Sequence, residues 1–158
     1  MHKKMGAFLA LIACCAALAG CSSKWTQEEA ALRVVSFSGS DALISVENGI
    51  IVLNGRSDAF YGGALTVEAD AFGPARGFEQ TFYLETAEGR RVVSSNAAMD
   101  MTGEPIALSD ELARASGDIF SAADEAALAN GLRFELTVIG MDGEEWTHAL
   151  DLELRQIV

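Results

Sequence analysis

Cysteine is absent from most of this sequence. The chain has three cysteines, Cys14, Cys15 and Cys21, and none follows residue 21. The later residues therefore form no disulfide with one another. They also offer no thiol nucleophile, no CxxC redox pair and no cysteine ligand for zinc. The fold of this part must be stabilised by packing and hydrogen bonding.

Histidine is almost as scarce. The chain has only His2 and His148, so a triad of serine, histidine and carboxylate beyond the N-terminus would have to use His148. The GxSxG motif of hydrolases, the HExxH motif of zinc peptidases and the glycine-rich motifs of phosphate-binding loops are all missing. These absences predict a protein that is not an enzyme, with no catalytic residue, no cofactor and no metal.

Basic residues are few as well. Eleven lysines and arginines stand against 23 aspartates and glutamates, and the formal net charge is −12. An acidic surface repels nucleic-acid phosphates, whose binding requires cationic side chains. It also repels anionic lipid headgroups. The composition therefore predicts a solvated acidic surface and no binding to nucleic acid.

The N-terminus has the organisation of a secretory signal. Lys3 and Lys4 precede an uncharged run at residues 5–20, which ends in small residues just before Cys21. A basic start, a short apolar run and a small-residue cleavage site are typical of a signal peptide. The run is short for a transmembrane helix, which needs about 20 apolar residues.

The residues Leu18-Ala19-Gly20-Cys21 resemble the lipobox of bacterial lipoproteins in its commonest form. The resemblance covers only the first residues, up to Ser23. It implies a diacylglyceryl group on Cys21, cleavage between Gly20 and Cys21, and a further acyl chain such as palmitate on the new amino group. Acyl chains of this kind anchor a protein to a membrane, at about 0.8 kcal/mol per buried CH₂. The residue after the cysteine is Ser22 and not aspartate. By the same resemblance, this favours sorting of the lipoprotein to the outer membrane, with its domain facing the periplasm.

Removal of residues 1–20 leaves 138 residues, enough for one domain with a core, and changes the formal charge to −14 because two lysines leave. Residues 21–40 are predicted to form a lipidated tether and lead-in, and residues 41–158 the folded domain. Within the lead-in, residues 27–37 fit either of two structures. The capping-box pattern at 26–29 favours a short helix, and the apolar run that follows favours a first strand.

From residue 41 onward, short apolar runs alternate with turn residues. Apolar and polar side chains alternate at 42–47 and 65–71, and Asn48-Gly49 between two apolar runs predicts a type I′ hairpin turn. Six to eight strands of this kind predict a mainly β fold. The expected architecture is an antiparallel β-sandwich, for which an immunoglobulin-like arrangement is one candidate.

The clearest hairpin is predicted at the C-terminus. Residues 132–138 alternate between apolar and polar side chains, and Asp142-Gly143 supplies the turn. Trp146 and His148 then share one face with the leucines of residues 150–154. One face of this hairpin should be buried and the other solvated. His148 is therefore predicted to lie at the margin of the core.

A short helical insertion is predicted around residues 109–131. One segment begins at Ser109-Asp110-Glu111-Leu112. A second follows Ser121, which forms a capping-box pattern with Asp124, and stops at Gly131.

Aromatic residues stand beside glycines in two predicted loops. Phe60 and Tyr61 precede Gly62-Gly63, and Phe72 precedes Gly73. Such loops on a rigid sandwich can contact ligands or partners, so Phe60, Tyr61 and Phe72 are candidate partner contacts. The same residues could instead plug the open ends of the sandwich.

Two loop clusters have donor atoms that metals use. Met99-Asp100-Met101 has thioether spacing suited to Cu(I), and Asp142-Gly143-Glu144-Glu145 has oxygens suited to calcium. The methionine cluster has no histidine near it in the sequence, and the acidic cluster does not match the twelve-residue EF-hand pattern. Ordinary turn and core roles are therefore expected for both.

Together these observations predict a membrane-anchored lipoprotein of the cell envelope that acts as a noncatalytic binding or accessory module. Its expected partner is another envelope protein, because exposed sheet edges recruit partners by strand addition. The alternative is a small-ligand carrier or a carboxylate-based hydrolase in the envelope. Either would need a deep pocket with converging polar groups.

Overall fold

The computed structural model describes residues 31–55, 57–108 and 111–158. These residues form antiparallel strands and one short helix, so the predicted mainly β fold with a helical insertion is confirmed. The elements in chain order are β1 (Arg33–Ser40), β2 (Ile44–Leu53), β3 (Asp58–Tyr61), β4 (Ala64–Val67), β5 (Ala75–Thr86), β6 (Gly89–Met99), β7 (Arg114–Gly117), α1 (Ala122–Leu128), β8 (Leu132–Gly140) and β9 (Glu145–Gln156).

The strands belong to one sheet that is nearly closed into a barrel. Hydrogen-bonded neighbours follow the order β6-β5-β8-β9-β1-β2-β3-β7, and β4 pairs with the first half of β2. Strand β9 pairs with β8 from Glu145 to Leu152 and with β1 from Glu153 to Gln156. An immunoglobulin sandwich keeps its two sheets separate, whereas here the two layers are continuous through β9.

The core lies between these layers and is built around four phenylalanines. Phe37, Phe60, Phe82 and Phe134 come from β1, β3, β5 and β8, and each is at most 2% exposed. Neighbouring ring centroids lie 4.9 to 5.7 Å apart. Because burial of one phenylalanine side chain contributes about 1.5–3 kcal/mol, this cluster joins the two layers firmly.

The C-terminal hairpin follows the predicted alternation. The inward side chains of β8 are completely buried, and Leu150 and Leu152 of β9 are buried opposite them. Burial decreases toward the start of β9, where Trp146 is 37% exposed and its ring covers the backbone of Gly140. His148 lies between these two zones and is half-buried.

The prediction of a hairpin at Asn48-Gly49 is wrong, because both residues lie inside strand β2. Residues Ile44–Leu53 form one strand, which pairs first with β4 and then with β3. Asn48 has a φ of 60°, and a Cβ on Gly49 would lie 2.0 Å from the ring of Phe37. The two residues therefore bend the strand beneath that ring, and they do not reverse the chain.

The region predicted as a helical insertion contains one helix in its described part. Helix α1 begins after Ser121 with the predicted capping box, since Ser121 and Asp124 each accept a hydrogen bond from the other's amide. The prediction of a first helical segment before it is wrong, because this part of the chain is extended. Glu111 forms a β-bridge with Ala64, and β7 pairs with β3. Hydrogen bonding to this sheet edge outweighs the local preference for a helix. Ser109 and Asp110 lie outside the described residues.

The lead-in becomes a strand at Arg33. The first strand therefore belongs to the barrel, and the folded domain begins before residue 41, the predicted boundary. Arg33 also pairs with Glu125 of α1 at 3.0 Å, so the start of β1 is tied to the helix. Residues 1–30 lie outside the described residues, and with them the helical alternative for residues 27–30.

Candidate partner-binding edge

His148 is the histidine on which the question of catalysis depends. Its Nε2 lies 2.6 Å from Oδ2 of Asp41, in the turn between β1 and β2, and its ring centre lies 6.5 Å from that of Phe72. Asp41 also accepts hydrogen bonds from the amides of Leu43 and Ile44, at 2.9 and 3.1 Å. The Leu43 amide, followed by the bond with His148, lowers the pKa of Asp41 to about 2.

This pair ties the start of β9 to a turn 107 residues earlier in the chain. The Asp41 carboxylate serves mainly to close its own turn, in the manner of an Asx-turn. Sequence reasoning singled out His148 but missed Asp41. The turn-forming tendency of aspartate could have indicated the turn, but no local signal could have indicated the histidine that it meets.

The three aromatic residues predicted as partner contacts are not together. Phe60 is buried against Phe37, so it is a core residue, and this corrects the prediction of a partner contact there. Tyr61 is half-buried beneath the guanidinium of Arg114, which lies 4.7 Å from the ring centre. Phe72 is half-buried near His148.

The glycines after Tyr61 have a structural explanation. Gly63 has a φ of 84°, and a Cβ there would lie 2.0 Å from the carbonyl oxygen of Glu47 in β2. The amide of Gly62 donates to the carbonyl of Ala113 at 2.9 Å. A Cβ on Gly62 would lie 2.7 Å from the Cβ of Leu112. Close packing therefore accounts for both glycines, against the bend in β2 for Gly63 and against the segment before β7 for Gly62.

The predicted lipidation and cleavage site, Gly20 and Cys21, lies outside the described residues and stays a prediction. Within residues 31–55, 57–108 and 111–158, no helix has the length and apolar character needed to span a bilayer. The same ranges contain no cluster of three or more metal-ligating histidine, cysteine, aspartate or glutamate side chains.

Asp100 closes the turn that follows β6. Its carboxylate accepts the amides of Thr102, Gly103 and Glu104 at 2.7 to 3.0 Å, so its oxygens are used by the backbone. This arrangement is ordinary turn chemistry.

A groove of about 830 Å³ lies between α1 and the turn from β5 to β6. Arg91 Nε lies 3.6 Å from Oδ1 of Asp124, and Arg91 also donates to the carbonyl of Ile119 at 3.1 Å. Asp124 in turn caps α1. These charges hold the helix over one end of the barrel, and they do not converge on a common point in the groove.

Strand β6 is the most exposed long element. Within the described part of the chain it pairs with β5 alone, and it stands at one end of the strand order. Its eleven residues are all exposed or half-exposed. Residues 92–99 contain no charge and no proline. The first part of β6 has two protective features, the charges of Arg90 and Arg91 and a bulge at Val93, whereas residues 94–99 lack the usual devices that prevent an edge strand from pairing.

The main-chain groups that face the free edge follow from the pairing with β5. The amide of Asp100 donates to the carbonyl of Arg76 at 2.7 Å, so these residues form a hydrogen-bonded pair. Hydrogen-bonded and non-hydrogen-bonded pairs alternate along an antiparallel ladder. Even-numbered residues 94–98 therefore bond to β5. The residues whose amides and carbonyls face outward are Ser95, Ala97 and Met99.

A cleft of about 470 Å³ separates β6 from the segment that leads into β7. Its walls are formed by residues 94–96 on one side and 111–114 on the other. Because β6 and β7 are the two ends of the strand order, this cleft is where the barrel stays open.

The free edge of β6 and the cleft beside it form a surface that can accept an extended segment. In strand addition, main-chain hydrogen bonds provide affinity, and pockets for alternate side chains provide specificity. No protein-family model, no curated protein and no solved structure matches this chain.

Proposed function

We propose that this protein is a bacterial lipoprotein, anchored by lipid on Cys21 to the outer membrane and facing the periplasm, where it acts as a noncatalytic binding module. The lipobox Leu18-Ala19-Gly20-Cys21 supports the anchor. The free edge of β6 supports the binding role, in which an envelope protein adds an extended strand to the sheet.

The observation that carries the binding role is the outward-facing main chain of Ser95, Ala97 and Met99. These residues lie in an uncharged stretch, and Ser95 and Ala97 have small side chains. A strand that pairs with them would gain regular backbone hydrogen bonds. A native edge of this kind is a template for pairing.

A noncatalytic role is supported by the structural use of the best-placed ionisable groups. His148 binds Asp41, Asp124 caps α1, and the buried Asp58 accepts the amide of Phe120 at 3.1 Å. A folded His148→Gln protein is expected to keep its biological function. If that protein were stable but inactive, the hydrolase alternative would move ahead.

The anchor is tested by labelling cells with palmitate. Cys21→Ser should give an unlabelled and unprocessed precursor, because the acceptor thiol is removed. Cys15→Ser is the matched control, since it removes a cysteine from the apolar run and should leave labelling intact. Equal labelling of the Cys21→Ser protein and the parent would contradict the anchor.

The binding role is tested at Ala97. Proline at this position removes an amide that faces the free edge, whereas Ala97→Ser keeps that amide and changes the side chain little. After affinity purification from detergent-solubilised membranes and mass spectrometry, the proline variant should lose the co-purifying protein that the serine variant retains. Identical partners for both variants would exclude the β6 edge as the binding surface.

A further inference from the structure

The charges along β6 have opposite signs at its two ends. Arg90 and Arg91 stand at the start, residues 92–99 are uncharged, and Asp100 follows at the end, with Glu104 beyond it. In an antiparallel pair, the start of each strand lies beside the end of the other. A strand with a basic start and an acidic end is therefore complementary to a copy of itself.

The basic end remains accessible to a neighbour. Although Arg90 pairs with Glu135 and Arg91 with Asp124, the two arginine side chains are 39% and 45% exposed. Glu104 is exposed beyond the opposite end. Both signs of charge can therefore act across an edge-to-edge contact.

We infer that the strand added to β6 is the β6 strand of a second copy of this chain. The two strands run antiparallel and exchange hydrogen bonds through Ser95, Ala97 and Met99, so that the two sheets become continuous across a two-fold axis. This inference rests on the proposed binding role and names the partner.

The rest of the molecule restricts where such a contact can form. The domain is strongly acidic, so two copies repel each other over most of their surface. Residues 92–99 are a locally uncharged stretch, and their edge is long enough for a ladder. The opposite edge, β7, has only four residues, with Arg114 at its start and Glu111 shortly before it. The β6 edge is therefore the one that suits self-pairing.

Single-cysteine crosslinking in membranes tests the inference. Ala97→Cys places a thiol on the free edge, and Ala149→Cys places one on the exposed face of β9, away from β6 and opposite Glu135 of β8. Membranes that contain the mature lipoprotein are treated with a short bismaleimide, and the products are purified and weighed by mass spectrometry. The Ala97→Cys chain should form a covalent dimer of identical chains. The Ala149→Cys chain and the parent should stay monomeric.

A second substitution links the dimer to the main chain of β6. Ser95→Pro in the Ala97→Cys chain should abolish the dimer because it removes a neighbouring edge amide, whereas Ser95→Ala should retain it. Circular dichroism confirms that both chains are folded. A dimer that survives Ser95→Pro in a folded chain would overturn the inference.

The remaining outcomes separate this inference from the proposed function. An Ala97→Cys adduct with a different protein would overturn the second copy as partner and keep the binding role. The absence of any adduct would also overturn the inference that the partner is a second copy. In that case, loss of a co-purifying protein in Ala97→Pro would still support strand addition by another partner, and retention would reject the edge altogether.

Discussion

Strands β8 and β6 flank the same strand, β5, yet they differ in almost every physical respect. Gln80 of β5 lies between Leu136 of β8 and Asn96 of β6. Leu136 is completely buried, whereas Asn96 is exposed. The same difference extends along both strands, because the inward residues of β8 are large and apolar and those of β6 are small or polar.

The difference follows from the position of each strand in the sheet. Strand β8 has hydrogen-bonded neighbours on both sides, so its backbone is fully used and its inward face is covered. Strand β6 has a described neighbour on one side only, and its other side meets the open cleft. Stability is therefore concentrated in β8, and the capacity for new contacts is concentrated in β6.

Truncation at the two residues beside Gln80 should show the largest contrast. Leu136→Ala should lower the free energy of unfolding by about 2–5 kcal/mol, because it leaves a cavity in the core. Asn96→Ala should change it by less than about 0.5 kcal/mol, as expected for an exposed position. Urea denaturation measures both. Similar losses for the two variants would break the comparison.

Proline substitutions sharpen the comparison within β6. Ala98→Pro removes an amide that bonds to β5 and leaves its acceptor unpaired, so it should cost about 1–3 kcal/mol more than Ala97→Pro. The free energy of unfolding in urea measures this difference. The opposite order would show that the outward-facing amides belong to the even-numbered residues.

Strand β9 is the other neighbour of β8, and His148 at its start contacts Asp41. The pH dependence of the free energy of unfolding tests how much this contact contributes to stability. The pKa of Asp41 is lowered from 3.8 to about 2 in the folded protein. Its contribution is therefore present above pH 3.8 and is lost as the pH falls from 3.8 toward 2. Because the carboxylate side chain is 35% exposed, screening limits this contribution to about 1 kcal/mol.

The variant for this test is Asp41→Asn, which keeps the shape of the side chain but cannot ionise. Its unfolding free energy should fall less than that of the parent as the pH decreases through this window. Equal pH slopes for the two proteins, measured by urea denaturation at each pH, would exclude Asp41 as the titrating group.

The smallest expected loss of stability concerns the ion pair that links β6 to β8. Glu135 of β8 accepts two hydrogen bonds from Arg90 of β6, at 3.1 and 2.8 Å, and the Arg90 guanidinium lies 3.8 Å from the ring centre of Tyr83. Glu135→Ala should cost about 0.5–1 kcal/mol, since the pair is bidentate but partly exposed.

A double-mutant cycle isolates the energy of this ion pair. The combined Glu135→Ala and Arg90→Ala chain should lose less than the sum of the two single losses, because each single change already removes the pair. Strict additivity in thermal or urea denaturation would mean that β6 and β8 are not coupled through these side chains.

Sequence reasoning succeeded where an element depends on residues close in the chain. The capping box of Ser121 and Asp124 is present at the start of α1. The turn at Asp142-Gly143 is present too, with a φ of 87° at the glycine. The alternation of residues 132–138 correctly separated buried from outward side chains. In each case a backbone conformation or a side-chain direction is determined within a few residues.

It failed where the outcome depends on which strands become neighbours. Phe60 beside Gly62-Gly63 was a candidate partner contact in a predicted loop, but it enters the core. Of the two glycines, Gly63 packs against β2 and Gly62 against the segment before β7. The segment from Glu111 was interpreted as a helix, but it lies along β3 and β4. Neither neighbour can be identified from the local sequence.

By itself the sequence determined the acidic character of the chain, the resemblance of its N-terminus to a lipobox, the helix cap and the face of the final hairpin that is buried. Only the tertiary structure decided that Asn48-Gly49 bends a strand, that His148 meets Asp41, and that β6 is left at an open edge. The physical reason is range. Dihedral preferences and side-chain alternation act between adjacent residues, whereas backbone pairing between strands joins segments that are distant in the chain, and the most stable set of pairs emerges only when all the strands compete for the same neighbours.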